Sequence, residues 1–175
     1  IKSAEGDPEV KKKKAAKELA RYMSLHPHNI AQKTEIMVEH FRNHTKHKIG
    51  GKAKAMVVSG SRLHAVRYKQ AFDKYIREKK YDDVQTLVAF SGTVIDDIDT
   101  SMTYTEGGMN RSKDGENIAG KKIPEQFESD DYQVLIAADK FQTGFDQPLL
   151  HTMYVDKRLA GVQAVQTLSR VNRTF

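Results

Sequence analysis

The chain has 175 residues, is 38% hydrophobic and 30% charged, carries a formal net charge of +6 and contains no cysteine. That length suits one compact α/β domain with extra material attached. The missing cysteine removes disulfides, thiolate catalysis and cysteine-ligated zinc. No apolar run reaches the roughly 20 residues of a membrane-spanning helix. With no secretory pattern at the start, the expectation is a soluble, cytoplasmic protein without a membrane partner. The charge is uneven: residues 1–54 hold 13 Lys and Arg against 6 Asp and Glu, and the remainder hold 16 against 17. A basic first third can neutralise phosphates and release counterions. A solvated, lysine-rich helix has the same composition.

In chain order, good helix formers dominate from about Pro8 to Leu25, with Val10, Ala15, Leu19 and Tyr22 at helical spacing and Asp7-Pro8 as a cap and first position. His26-Pro27-His28 breaks that pattern, and a second helix is expected from about Ile30 to His44, with Ile36, Met37 and Phe41 on one face. Gly50-Gly51 reads as a hinge or turn. Ala55 to Val58 is a short buried strand, followed by a helix from about Arg62 to Lys79 with Ala65, Val66, Tyr68, Phe72 and Ile76 toward the core. Val84 to Phe90 is the next strand. Residues 91–121 are rich in Gly, Ser, Thr, Asp and Asn without a clear period, which is long for a loop in a compact domain and points to a functional or partly disordered segment. A short helix at Pro124 to Ser129, strands at Val134 to Ala138 and Met153 to Val155, and a helix from Gly161 to about Val171 complete the series.

Strands alternating with helices predict a mostly parallel sheet flanked by helices. The division expected is a basic helical extension over residues 1–50 and an α/β lobe over 51–175. In such sheets ligands gather beyond the carboxyl ends of the strands. Ser59 to Arg62, Ser91 to Thr93 and Asp139 to Asp146 sit there.

Two segments carry chemistry. Gln166, Arg170 and Arg173 fall at i, i+4 and i+7 on the last helix, which puts them on one face. Paired guanidinium groups can grip a polyphosphate, although such pairs are commonly solvated. Thr143-Gly144-Phe145-Asp146 follows a strand; its glycine permits close backbone approach and its polar side chains suit phosphate, ribose or arginine, or else a simple tight turn. A strand, this loop, another strand and a helix with Gln-x-x-x-Arg-x-x-Arg form a specific order.

In that order, together with Lys54-Ala55-Met56-Val57-Val58, Ala89 to Val94, Ala138 to Pro148, Met153 to Lys157 and Gln166 to Phe175, the chain resembles the second RecA-like lobe of superfamily 2 helicases and translocases. More closely, it resembles the motor subunit of type I restriction endonucleases, from about residue 36 to the end. The resemblance implies an ATP-dependent translocase of double-stranded DNA, working with ATP and Mg2+ shared with a first lobe. It implies an arginine finger at Arg173 or Arg170, nucleotide contacts from Gln166, Gly144 and Asp146, and DNA-backbone contacts from Ser59, Arg62, Ser91, Gly92, Thr93 and Thr143. A finger of this kind is worth roughly 10³–10⁵ in rate. Implied partners are the first lobe and a nuclease domain of the same polypeptide, and the modification and specificity subunits of a restriction complex.

Ser169 stands where many relatives carry glycine before the first arginine, and the chain ends at Phe175 where a closing strand would follow, so a piece of a longer polypeptide is expected. Neither Gly51-Lys52-Ala53 nor Gly120-Lys121-Lys122 completes a phosphate cradle, so the chain alone is expected to be inactive as an ATPase. The alternative is a degenerate RecA-like module that binds DNA or a partner subunit without contributing to hydrolysis. Asp96, Asp97 and Asp99 read as a solvated acidic loop sooner than a magnesium site, His40, His44 and His47 as a surface cluster sooner than a zinc site, and Glu78-x-Lys80 as an ordinary piece of helix sooner than a nuclease signature, so no resident metal is assigned.

Overall fold

Alternation along the strands divides the hydrophobic residues between two cores, one on each face of a sheet. The computed structural model describes residues 8–141, 146–169 and 171. Its elements are α1 (Pro8–Leu25), α2 (Pro27–Asn43), β1 (Lys54–Ser59), α3 (Arg62–Lys79), β2 (Thr86–Ala89), β3 (Thr93–Ile95), β4 (Thr103–Thr105), α4 (Glu106–Met109), α5 (Lys122–Glu128), β5 (Val134–Ala137), β6 (Leu150–Asp156) and α6 (Gly161–Leu168). Four strands form a parallel sheet in the order β2-β5-β1-β6, and Val57 of β1 lies level with Ile136 of β5 and Tyr154 of β6. All residues of β1, β2 and β5 are buried, as a sheet covered on both faces requires. Ala55, Val57, Val88, Val134 and Ile136 face α2 and α3, whereas Met56, Val58, Leu87, Ala89, Leu135 and Ala137 face α5. The expected α/β architecture with a helical N-terminal segment is therefore present.

The crossover from β1 through α3 to β2 runs one way across the sheet, and that from β2 through α5 to β5 runs back. Because α3 and α5 lie on opposite faces, the two crossovers share one hand.

Local chemistry sets the boundaries. Ser61 caps α3 by accepting from the His64 amide at 3.2 Å, and Lys80 ends it in a left-handed conformation. Pro27 occupies the first turn of α2, so the His-Pro-His step starts this helix three residues earlier than expected. Proline at that position loses no hydrogen bond, because the first amides of a helix have no internal partner. At its other end, α6 stops at Leu168, short of the expected Val171. Strand β6 begins at Leu150, three residues before the expected start, and β2 is shorter than expected.

Residues 91–121 differ most from expectation. They hold an antiparallel β3–β4 hairpin, the short α4 and an isolated bridge between Arg111 and Asn117. The segment covers β2, which is an edge strand of the four-stranded sheet. The Asn110 side chain accepts from the Val88 amide at 2.8 Å and donates to the Val88 carbonyl at 2.7 Å. One amide side chain thus takes the place of a neighbouring strand and blunts the edge. Asp96 likewise serves the backbone, accepting from the amides of Ile98 and Asp99 at 2.8 and 3.2 Å.

Candidate functional site at the carboxyl edge of the sheet

Parallel pairing brings the carboxyl ends of all four strands to one edge. Arg62, Ser91, Ala138, Asp139, Lys140 and Phe141, from the ends of β1, β2 and β5, line an open cleft of about 480 Å³ there. A larger groove of about 690 Å³ lies beside the opposite ends of β2 and β5, next to Thr86 and Gln133. Its Lys69 and Lys113 pair with Asp73 at 2.8 Å and Asp131 at 2.6 Å, and it lies away from the carboxyl ends where ligands gather, so size is a poor guide to the site here.

The cleft walls are tied together by charged side chains. Arg62 donates from Nη1 to the Ser91 carbonyl at 2.8 Å, joining the loops after β1 and β2. Gly92 has φ +74°, which favours glycine, and a Cβ there would stand 3.1 Å from Arg62 Nη1 and crowd the guanidinium. Lys140 pairs with the buried Glu106 at 2.7 Å, and Lys157 with Asp139 at 3.1 Å. Asp139 and Phe141 flank Lys140 with φ of 56° and 64°. Left-handed conformations at non-glycine residues cost roughly 1–3 kcal/mol each and persist only where the surroundings fix them.

At the end of β6, Asp156 accepts from Lys33 Nζ at 2.6 Å and from the Tyr68 hydroxyl. Burial opposes its charge, yet these hydrogen bonds prevail and hold its carboxyl below the ordinary range. Burial pushes the Tyr68 hydroxyl up, so it stays a donor. Nearby, the His64 ring is buried between Ser61 and Ser24, and burial lowers its pKa.

Of the residues singled out in the sequence, Ser59, Arg62, Ser91, Gly92 and Thr93 lie at this edge. Ser59 is 1% exposed, with its hydroxyl 3.0 Å from the Ala137 carbonyl. Arg62, Ser91, Gly92 and Thr93 are exposed. Asp146 is exposed after β5, and Gln166 is exposed on α6. Thr143, Gly144, Arg170 and Arg173 lie outside the described residues. Sequence reasoning passed over Glu106 and Lys140. The Glu-x-x-x-Asn spacing of Glu106 and Asn110, inside an otherwise polar stretch, was the available signal. Among the described residues no group of three His, Cys, Asp or Glu is placed to hold a metal ion. Nor is any described helix long and apolar enough to cross a membrane.

A sequence profile of type I restriction enzyme subunit R domain 3 matches residues 67–175. The chain is 31% identical to the type I restriction enzyme MjaVIIP endonuclease subunit of Methanocaldococcus jannaschii over 91% of its own length. It is 31% identical to the MjaIXP endonuclease subunit of the same organism over 97% of its length. A shorter stretch, 27% of the chain, is 45% identical to the HindI endonuclease subunit of Haemophilus influenzae. The chain spans 15% of the length of each of the two archaeal relatives. The profile covers more than half of the chain and agrees with these relatives, so the chain belongs to the type I restriction enzyme subunit R domain 3 family.

Proposed function

We propose that the chain is the second RecA-like lobe of the motor of a type I restriction enzyme, which moves double-stranded DNA at the expense of ATP. One observation carries the reading: the loops after β1, β2 and β5 meet in a single cleft, lined by the exposed Arg62 and by Lys140, which Glu106 holds in place. Cationic side chains at the carboxyl edge of a parallel sheet suit a phosphate-bearing ligand. Backbone-directed contacts from Arg62, Ser91, Gly92, Thr93 and Thr143 suit a translocase, which must hold every sequence equally; Ser59, 1% exposed, instead braces the end of β1 against Ala137.

In this reading ATP and Mg2+ sit between this lobe and a first lobe that supplies the phosphate cradle. Gln166, Gly144 and Asp146 contact the nucleotide, and Arg173, or Arg170 beside it, stabilises the charge of the transferring phosphoryl group. Closure of the two lobes on ATP and their reopening advance the DNA. The chain alone is inactive as an ATPase. Its partners are the first lobe, the nuclease domain and the modification and specificity subunits.

The test is DNA-stimulated ATP turnover by a full-length R subunit carrying this chain with Arg173→Ala. Arg158→Ala, at an exposed position after β6, serves as the control. Turnover is expected to fall by roughly 10³-fold or more with nucleotide binding retained. Wild-type turnover in the Arg173 variant would favour a lobe that only holds DNA or a partner subunit.

A further inference from the structure

Glu106 is 7% exposed, and its two carboxyl oxygens take four acceptor contacts from three segments of the chain. Oε1 accepts from the Phe90 amide at 3.0 Å and from Lys140 Nζ at 2.7 Å. Oε2 accepts from the Gly120 amide at 2.7 Å and from Lys140 Nζ at 2.8 Å. Phe90 directly precedes Ser91, whose carbonyl takes Arg62 from the other side. Lys140 stands between two left-handed residues in the loop after β5. One carboxylate therefore fixes the end of β2, the end of the 91–121 excursion and the strained loop after β5 against each other.

We infer that Glu106 is a positioning residue for the motor cleft, acting through Lys140 to set the spacing between the Ser91 wall and the Asp139–Phe141 wall. This inference rests on the motor reading above. A carboxylate is needed because it only accepts, and every group facing it donates. An amide in its place would turn an NH2 group toward either the Phe90 or the Gly120 amide, donor against donor. A pair that served stability alone would exchange for apolar groups with little penalty. Here the two backbone amides and the left-handed turns at Asp139 and Phe141 make the pair specific to one loop geometry.

The experiment is a double-mutant cycle in the full-length R subunit with Glu106→Gln, Lys140→Met and both together. Thermal melts, KM for ATP and kcat for DNA-stimulated turnover are measured on each. Glu106→Gln keeps the Lys140 charge, so it separates positioning from any direct ligand contact by Lys140. The expected result is a kcat lower by roughly 10- to 100-fold in each single variant, the scale of a misplacement near 1 Å. KM should stay within about twofold, and the double variant should be no worse than the weaker single, as two residues acting through one contact require. Wild-type kcat in a folded Glu106→Gln protein would overturn the inference, as would losses that multiply in the double variant. If Glu106→Gln does not fold, Lys140→Met decides, because it leaves the carboxylate with its two amides; wild-type kcat there would overturn the role. Absence of DNA-stimulated turnover in the wild-type protein would remove the motor reading itself and this inference with it.

Discussion

Helices α1 and α2 are neighbours of almost equal length, 18 and 17 residues, yet α1 buries one residue and α2 buries five. Ile30, Thr34, Met37, Val38 and Phe41 run along α2 as a single stripe against α3 and the sheet. The apolar stripe of α1 points outward, with Leu19, Tyr22 and Met23 at 61%, 66% and 51% exposure. Both helices carry apolar residues at helical spacing. Periodicity says which face of a helix is apolar. It does not say that a complementary surface exists, and only α2 meets one. The final turn of α1 is what binds it: Ser24 meets His64 at 2.9 Å, Arg67 donates to the Leu25 carbonyl at 2.9 Å, and Arg21 lies 4.0 Å from Asp97.

Truncation should break the comparison most sharply. Phe41 is 0% exposed in the main core. Phe41→Ala should therefore cost about 3–5 kcal/mol, through lost burial and the cavity left behind. Leu19→Ala, on the uncovered stripe, should stay within about 0.5 kcal/mol. Urea unfolding of the two variants checks both values; similar losses would mean that α1 packs in solution as α2 does.

The same contrast explains what the sequence made legible. Strands β1 and β5 and helix α3 were readable because their signals are runs of apolar residues, many side chains pointing to one answer. The 91–121 excursion was not, because it is held by single side chains bonding to distant backbone, such as Asn110 to Val88. A bond of that kind leaves no period in the sequence. At the site, strand order alone brought the Ser59, Ser91 and Asp139 loops to one edge. The pairing of Glu106 with Lys140 spans 34 residues, and that of Lys33 with Asp156 spans 123, so neither has a local signature. The break expected at His26-Pro27-His28 is present at His26, but Pro27 already opens α2, because proline suits a first helical turn.

A smaller effect tests the joint between the two helices and the cleft. Ser24 donates its hydroxyl to the Arg21 carbonyl at 2.7 Å, so it accepts from His64 Nε2–H. Nδ1 then accepts from Ser61, whose oxygen also receives the His64 amide. The ring is thus held neutral in one tautomer. Burial lowers its pKa first; Lys33, Arg21 and Arg67 lower it further, and Asp156 opposes them. A base with a depressed folded pKa binds fewer protons folded than unfolded. Stability is therefore full above the unfolded pKa of about 6.5 and falls as pH drops from there through the folded pKa. His64→Asn should flatten that decline, and Ser24→Ala should cost about 1 kcal/mol at pH 7.5 by stranding Nε2–H. Identical pH profiles for wild type and His64→Asn would remove His64 as the titrating group.

The smallest effect on stability is expected from α1's lysines, and it sharpens the question of what this helix faces. Lys11, Lys12, Lys13 and Lys14 are all exposed and, being consecutive, wrap around the helix, whereas Lys14, Lys17 and Arg21 share one face. Reversing the charge of Lys11–Lys14 should leave the melt unchanged, because no fold contact is lost. If α1 lies along the DNA path of the proposed motor, duplex binding should weaken. The slope of log K against log salt should then shrink by about 0.9 for each phosphate contact removed. An unchanged slope would place the lysines away from DNA. The uncovered stripe of Leu19, Tyr22 and Met23 would then be the working face of α1, and its lysines would serve only to keep the rest of the helix in water.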